Sequence, residues 1–264
     1  MEPRISVIMG IDNCAPTLAE ALDSLLLQTY QEFKVIMCDD GSTDNTVEIA
    51  KSYVDRFPEK FVLIRNPRNM GLNYTLNHCL AHADTEYVAR MDGDDISLPE
   101  RFEKEIEFLD THPEYSIVSG PMIYFDENGD FKIGQVLKEE PLKSDFVKGT
   151  PFCHAPCMVR REAYEAVGGY SVDKKLLRVE DYHLWLKMYL EGFRGYRLKF
   201  PIYKMRDNRD AMRRRTFRNR INEVYVKHLC IKGFELSKIQ YVYLMIPLLK
   251  ALCPDFIARI LRRI

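Results

Sequence analysis

The sequence predicts an α/β protein with a mostly parallel central sheet and helices on both faces. Three observations lead to this prediction. Four apolar runs alternate with segments of helical periodicity along the first hundred residues. The runs are continuous rather than alternating, as in strands that are covered on both faces. The 264 residues suffice for one large core and an appendage.

Four strand and helix pairs make up the first part of the chain. The strands are predicted at residues 5–9, 33–38, 61–65 and a run that begins at residue 87. Apolar residues recur at helical spacing within residues 17–28, 47–57, 72–80 and 99–110. Right-handed crossovers would then bring the carboxyl ends of all four strands to one edge of the sheet, where ligands bind in such folds.

Antiparallel strands are predicted after residue 110. Residues 115–125 and 131–137 flank the segment 126–130, which contains Asn128 and Gly129 and is typical of a hairpin turn. Residues 161–167 are predicted to form a short helix that Gly168 and Gly169 end. A further helix begins at residue 180, and residues 195–205 are predicted as the last strand.

Composition disfavours several classes of protein. The net charge of -1 predicts no general attraction to nucleic acid. Seven cysteines, an odd number scattered in apolar stretches, favour reduced thiols. Cys153, His154 and Cys157 have no second ligand pair at zinc spacing, so packing is the favoured interpretation. The first residues lack the pattern of a secretory signal, and we expect a cytoplasmic protein, either free or peripheral at the inner face of the plasma membrane.

The C-terminal part is basic and partly amphipathic. We expect residues 1–207 to form the catalytic domain and residues 208–264 a helical extension. The apolar run 241–252 is interrupted by Pro247 and is shorter than the ~20 residues of a bilayer span. Peripheral contact with anionic lipid is one interpretation of this extension. Docking against the protein's own surface or a partner is the other.

Two acidic loops follow predicted strands. Asp92, Asp94 and Asp95 come within four positions, and such hard oxygen ligands suit Mg²⁺ or Mn²⁺. The alternative is that one of them caps the next helix. Asp39 and Asp40 precede Gly41 in the other loop, where turn and capping chemistry explains much of the pattern. One of these two acids is left to accept a hydrogen bond from a base or ribose.

Further polar candidates lie in two other segments. Arg68 and Gly71 belong to the loop after the third strand, where turn duty and contact with an anion are both open. Glu180 and Asp181 stand at a helix start, a position that the helix dipole and capping favour. A carboxylate held there could also act as general base for a sugar hydroxyl.

Six segments together resemble the family 2 glycosyltransferases of the GT-A fold. They match that family in order and approximate spacing over the first two hundred or so residues. The segments are ISVIMGIDN at Ile5, CDDGSTDNT at Cys38, NMGL at Asn69, ARMDGDD at Ala89, GGY at Gly168 and EDYHLW at Glu180. The first loop departs from the family, because Gly10, Ile11 and Asp12 stand where many relatives have a proline and a tyrosine.

The resemblance implies an inverting enzyme of the bacterial polysaccharide type. Its donor would be a nucleotide-diphosphate sugar, with a lean to UDP, and its acceptor a saccharide or lipid-linked saccharide. A Mg²⁺ or Mn²⁺ ion would bind the diphosphate. By the same resemblance the catalytic residues are Asp181 and Glu180, the metal ligands Asp94 and Asp92, and the nucleotide-sugar contacts Asp40, Asp92, Arg68, Gly71 and Arg90.

Two alternatives remain open. A nucleotidyltransferase would need a Gly-rich, basic loop after the first strand, which residues 10–13 do not provide. The second alternative is a catalytically inactive binding module of the same fold at the membrane. The GxGxxG and GxxxxGK patterns are absent from the sequence, which disfavours dinucleotide-dependent oxidoreductases and P-loop enzymes.

Overall fold

The computed structural model describes residues 2–207 and 216–251. Its strands are β1 (Ile5–Ile11), β2 (Phe33–Asp39), β3 (Phe61–Arg65), β4 (Tyr87–Arg90), β5 (Ile96–Ser97), β6 (Ile117–Ser119), β7 (Met122–Asp126), β8 (Gly129–Ile133), β9 (Met158–Arg160), β10 (Gly195–Arg197) and β11 (Tyr203–Arg206). Its helices are α1 (Ala15–Leu26), α2 (Thr46–Arg56), α3 (Leu72–Leu80), α4 (Arg101–Thr111), α5 (Arg161–Val167), α6 (Glu180–Leu190), α7 (Phe217–Gly233) and α8 (Met245–Ala251).

Seven strands form the central sheet in the order β10-β6-β9-β4-β1-β2-β3. The pairs β1 with β2, β1 with β4, β2 with β3 and β6 with β10 are parallel. Only β9 within this sheet runs the other way, between β4 and β6. The carboxyl ends of β1, β2 and β4 therefore meet at one edge, as predicted.

Helices cover both faces of this sheet, which confirms the predicted fold class. On one face Val7 and Met9 of β1 pack with residues of α1, α2 and α4. On the other face Ile8 and its neighbour Ile36 pack with residues of α3, α5, α6 and α7. Because successive strand residues enter two different cores, both must be apolar, and the run in the sequence is continuous.

A second, four-stranded sheet corrects part of the prediction. Its order is β5-β11-β7-β8. The predicted strand 115–125 is two strands that belong to different sheets, β6 and β7, and the predicted strand 195–205 likewise divides into β10 and β11. The hairpin of β7 and β8 is present, but β8 ends at Ile133 rather than at residue 137. Helix α4 starts at Arg101 rather than at residue 99, because the short strand β5 and a turn come first.

Helix α7 packs on the central fold. Val226 and Cys230 of α7 belong to the same core cluster as α6, and Asn222 donates a hydrogen bond to the carbonyl of Leu177 (2.9 Å). The predicted basic helix 210–231 is observed from Phe217 onward, while residues 208–215 and 252–264 lie outside the described part. Across residues 2–207 and 216–251, no helix combines the length and the apolar character that a membrane crossing requires.

Candidate active site

The loop that follows β2 is held by its own two acids. Buried Asp39 accepts hydrogen bonds from the Ser42 amide and from Nε of Arg65, both at 3.1 Å. Gly41 has a φ of +86°, and a Cβ atom there would lie 2.8 Å from the amide nitrogen of Asn69. The turn chemistry expected for this loop is therefore present, and the loop that follows β3 lies directly against it.

Asp40 ties this loop to the one that follows β3. Its Oδ1 accepts from Nδ2 of Asn66 and from the Met70 amide, both at 2.8 Å, and its Oδ2 accepts from the Gly71 amide at 2.9 Å. A carboxylate offers about four acceptor positions. Three are filled inside the protein, so Oδ2 retains one position for a ligand. Asp40 and Gly71, two predicted nucleotide contacts, are thus neighbours.

The loop that follows β4 gathers three carboxylates. Asp92, Asp94 and Asp95 each place one oxygen within 4.8 Å of the others. Burial raises the pKa of Asp95 well above its usual value, and the charges of Asp92 and Asp94 raise it further. Within the described ranges this is the one cluster of three residues with metal-ligand geometry. The helix-cap alternative is not supported, because α4 has no side-chain cap.

Two residues of β11 form hydrogen bonds with the loop that follows β4. The Arg206 amide donates to Oδ1 of Asp95 (2.7 Å), and Nε of Arg206 donates to the carbonyl of Asp94 (2.9 Å). The Tyr203 hydroxyl accepts from the Asp92 amide (3.2 Å). The sequence analysis missed both residues, since no local pattern links β11 to a loop more than a hundred positions earlier.

Arg90 lies between this loop and the predicted catalytic acids. Its guanidinium is buried and makes two hydrogen bonds to the Asp92 carboxylate, one of them 2.5 Å long between Nη1 and Oδ2. Its charge also acts on Asp181, where it lowers the pKa. The buried Nε of Arg90 has no hydrogen-bond partner within residues 2–207 and 216–251. Arg90 therefore lies close to both predicted centres, and its first contact is the protein's own Asp92.

Asp181 occupies the first turn of α6, where the sequence places a candidate base. Burial raises its pKa to about 7, and the adjacent charge of Glu180 adds to this rise. The Thr150 hydroxyl donates to Oδ2 of Asp181 (3.3 Å). No side chain caps α6, so capping does not account for the two acids. A carboxylate with a pKa near neutrality is suited to accept a proton from a hydroxyl.

A cleft of about 440 Å³ joins several of these elements. Asp40 and Gly71 line one part and Glu180 another, and the start of α7 contributes Thr216 and Asn219. Arg68 is exposed beside the cleft rather than among its lining residues. The structure therefore unites Asp40, Gly71 and Glu180 around one space.

The cysteine and histidine cluster is structural. Nε2 of His154 lies 2.8 Å from the Tyr170 hydroxyl, and the Cys157 thiol donates to the carbonyl of Cys153 (2.7 Å). Burial and the charge of Arg90 keep the pKa of His154 well below its usual value. The six cysteines of the described ranges are free thiols. Packing, the favoured interpretation of the sequence, agrees with these contacts.

The family model for "Glycosyl transferase family 2" matches residues 6–168, which include both acidic loops. The chain belongs to glycosyltransferase family 2. The family resemblance predicted from the sequence motifs is thereby confirmed, and the protein is a glycosyltransferase.

Similar proteins agree with this assignment. The chain is 42% identical to the putative glycosyltransferase EpsE of Bacillus subtilis, over 96% of this chain and 90% of that protein. It is 28% identical to WfaP of Escherichia coli, named a UDP-Glc:alpha-D-GlcNAc-diphosphoundecaprenol beta-1,3-glucosyltransferase, over 72% of each chain. The structure of S. aureus TarS with UDP-GlcNAc matches with a TM-score of 0.70 and 20% identity, over 96% of this chain and 72% of TarS. The fold of this family 2 enzyme is therefore GT-A, as predicted.

Proposed function

We propose that this enzyme transfers a sugar, with inversion, from a UDP-sugar to a saccharide or lipid-linked saccharide during synthesis of a cell-surface polysaccharide. The observation that carries the proposal is the carboxylate cluster after β4 together with the near-neutral Asp181, both within reach of the charge of Arg90. The UDP-sugar donor and the diphosphate-linked acceptor named for WfaP, and the UDP-GlcNAc bound to TarS, support these substrate classes.

The chemistry of the cluster fits a divalent cation. Burial raises the pKa of Asp95 and the charges of Asp92 and Asp94 raise it further, so a shared positive charge would relieve the repulsion among these carboxylates. Oxygen ligands of this kind suit Mg²⁺ or Mn²⁺, and we assign Asp94 and Asp92 as the ligands. When bound, the ion supplies positive charge to the leaving diphosphate.

The proposed reaction is a single displacement. The acceptor hydroxyl oxygen bonds to the anomeric carbon while the bond from that carbon to the diphosphate oxygen breaks, and UDP leaves with the electron pair. Asp181 accepts the hydroxyl proton, because burial and then the charge of Glu180 raise its pKa to about 7 and make it basic enough at neutral pH. Attack on the face opposite the leaving group inverts the anomeric configuration.

The donor's nucleotide is assigned to the end of the cleft near β2 and β3. Oδ2 of Asp40 has one acceptor position left for a base N–H, and Gly71 presents backbone beside it. Arg68 at the rim and Arg90 behind Asp92 are the proposed cationic contacts of the donor.

The substitution Asp181→Asn tests the proposal most directly. An amide of the same size keeps the shape of the site but cannot accept the proton, so we expect kcat to fall by roughly a thousandfold or more. Affinity for UDP with Mn²⁺, measured by calorimetry, should stay within about twofold of the wild type. Unchanged turnover would contradict the assigned base. A wild type that binds UDP-sugars without turnover on any acceptor would favour the binding module.

Residues 208–264 are proposed to bring this site to a membrane that carries the acceptor. Four large apolar side chains, at least half exposed, follow one another at steps of three, three and four: Ile239, Val242, Met245 and Leu249. The first two lie in a 3₁₀ segment (Lys238–Leu244) and the last two in α8, so these steps keep them on one face. We call these four side chains the apolar stripe. Lys238 and Lys250 flank it and favour anionic lipid.

Serine at all four stripe positions should weaken binding to phosphatidylglycerol vesicles several-fold, because apolar burial and charge act together at a lipid interface. Cosedimentation measures this. The matched control replaces Leu27 and Leu137, two exposed leucines elsewhere on the surface, by serine and should bind like the wild type. Equal vesicle binding by the stripe variant would remove the membrane proposal and leave the catalytic one intact.

A further inference from the structure

Arg178 stands in a backbone conformation that suits glycine. The Val179 amide donates to the carbonyl of Leu176 (3.2 Å), which closes a turn over residues 176–179. Leu177, at the second position, has φ -61° and ψ 130°, and Arg178, at the third, has φ +68°. These are the features of a type II turn, whose third position is normally glycine or asparagine. An arginine at this position is strained, so the turn alone does not account for the presence of arginine there.

The other strained residue with a long side chain has a local explanation. Glu235, with φ +53°, directly follows the end of α7. The Leu236 amide bonds to the carbonyl of Ile231 and the Glu235 amide to that of Lys232, the pattern of a Schellman helix end. Arg178 does not end a helix in this way. Its position is instead set by the turn that leads into α6.

The guanidinium of Arg178 is available to a ligand. Leu176 and Val179 on either side are buried, while Arg178 is exposed and lines the 440 Å³ cleft. Within the part of the chain that the structure describes, its side chain has no hydrogen-bond or ion-pair partner. The other charged residues of that cleft lining are acids, Asp12, Asp40 and Glu180.

The loop that carries this cation is fixed at both ends. Nδ2 of Asn222 on α7 holds the carbonyl of Leu177, and Glu180 begins α6. The proposed base Asp181 lies three positions further along the chain. A substrate in the cleft therefore meets a guanidinium whose backbone is held in place, which reduces the entropy that binding would otherwise cost.

We propose that Arg178 binds a phosphate group of a substrate. Guanidinium groups match phosphate oxygens with two parallel hydrogen bonds, and a cleft that otherwise presents carboxylates gives a phosphate no other cationic partner in its described lining. The phosphate belongs either to the donor's diphosphate or to a diphosphate link in the acceptor. This inference rests on the proposed glycosyl transfer and adds the group by which one substrate is recognised.

Glycine at position 178 gives an unusual test, because it removes the cation and also relieves the strain. Arg178→Gly should melt at or above the wild-type temperature, and so should the control Glu235→Gly, which makes the same backbone change outside the cleft lining. Loss of binding in Arg178→Gly alone would then not reflect unfolding. Arg178→Lys keeps the charge and should retain part of the affinity.

Calorimetry with Mn²⁺ present would use three probes, namely uridine, UDP and decyl diphosphate. We expect Arg178→Gly to bind one of the two diphosphates at least tenfold more weakly and uridine unchanged. A loss confined to UDP assigns the donor, and a loss confined to decyl diphosphate assigns the acceptor. UDP affinity that stays unchanged, with no Arg178-dependent binding of decyl diphosphate, would overturn the inference. A wild type that fails to bind UDP at all would instead overturn the proposed function.

Discussion

Two acidic loops, after β2 and after β4, look alike in the sequence but differ in their hydrogen bonding. After β2, Asp39 and Asp40 accept hydrogen bonds from three backbone amides, an arginine and an asparagine side chain. After β4, Asp92 accepts from Arg90 and Asp95 from the Arg206 amide, but the three carboxylates crowd together, and the pKa of Asp95 rises through burial and the charge of its neighbours. In the first loop the protein fills all but one of the acceptor positions of Asp40. The second has an excess of negative charge that a cation would neutralise.

This difference separates two uses of an acid. A carboxylate with several N–H donors stabilises the loop that it holds, so its removal should cost folding free energy. A carboxylate in a repelling cluster costs stability until a cation binds, so its removal should cost function instead. Single substitutions in the two loops can therefore distinguish a structural acid from a ligand.

Among substitutions in the two acidic loops, Asp94→Ala should reduce activity most. Without this ligand the diphosphate lacks its counter-cation, and we expect Mn²⁺-dependent UDP binding to disappear and transfer to fall roughly a thousandfold or more. The free energy of unfolding without metal should fall less than in Asp40→Ala, because the substitution also removes a charge that the neighbouring carboxylates repel. Calorimetry and urea denaturation measure the two quantities. Undiminished nucleotide affinity would refute the metal assignment.

Asp40→Ala should lower the free energy of unfolding more than Asp94→Ala does. Three N–H groups, from Asn66, Met70 and Gly71, lose their acceptor, and we expect a loss of about 2–4 kcal/mol in the free energy of unfolding. Asp40→Asn, which keeps one acceptor oxygen, should lose less. If Asp40→Ala proved no less stable than Asp94→Ala, the contrast between the loops would fail.

The pH dependence of transfer adds a third acid, Asp181, to the comparison. We expect this to be the smallest of the three effects. Asp181 must be ionised to act as a base, and its pKa is raised to about 7 by burial and then by Glu180. We therefore expect kcat/KM to fall about tenfold per pH unit as the pH drops below 7. Glu180→Gln removes a neighbouring negative charge and should move this limb to lower pH. A pH profile that stays flat between pH 5 and 8 would contradict the assigned role.

Local patterns in the sequence were sufficient to predict much of the fold and the exit-edge acids. The buried strands run directly into Asp39 and Asp92, so these acids mark the carboxyl ends of the strands. The alternation of helices and strands predicts that these ends lie at one edge of the sheet. The partners that shape the second loop could not be found this way. Arg206 and Tyr203 reach it only because residues 195–205 divide between two sheets, and the hydrogen bonds that decide this division join distant segments. The strain at Arg178 likewise depends on a turn type that the presence of arginine argues against.

The pairing of β11 with the loop after β4 has a consequence for how the enzyme is made. Oδ1 of Asp95 accepts a hydrogen bond from the Arg206 amide, which lies 111 positions later in the chain. During synthesis on the ribosome, the carboxylate cluster therefore stays incomplete until Arg206 has emerged, and contacts of such long range close late in folding. A nascent chain that stalls before β11 would carry the acids in sequence without the shape that lets them hold an ion.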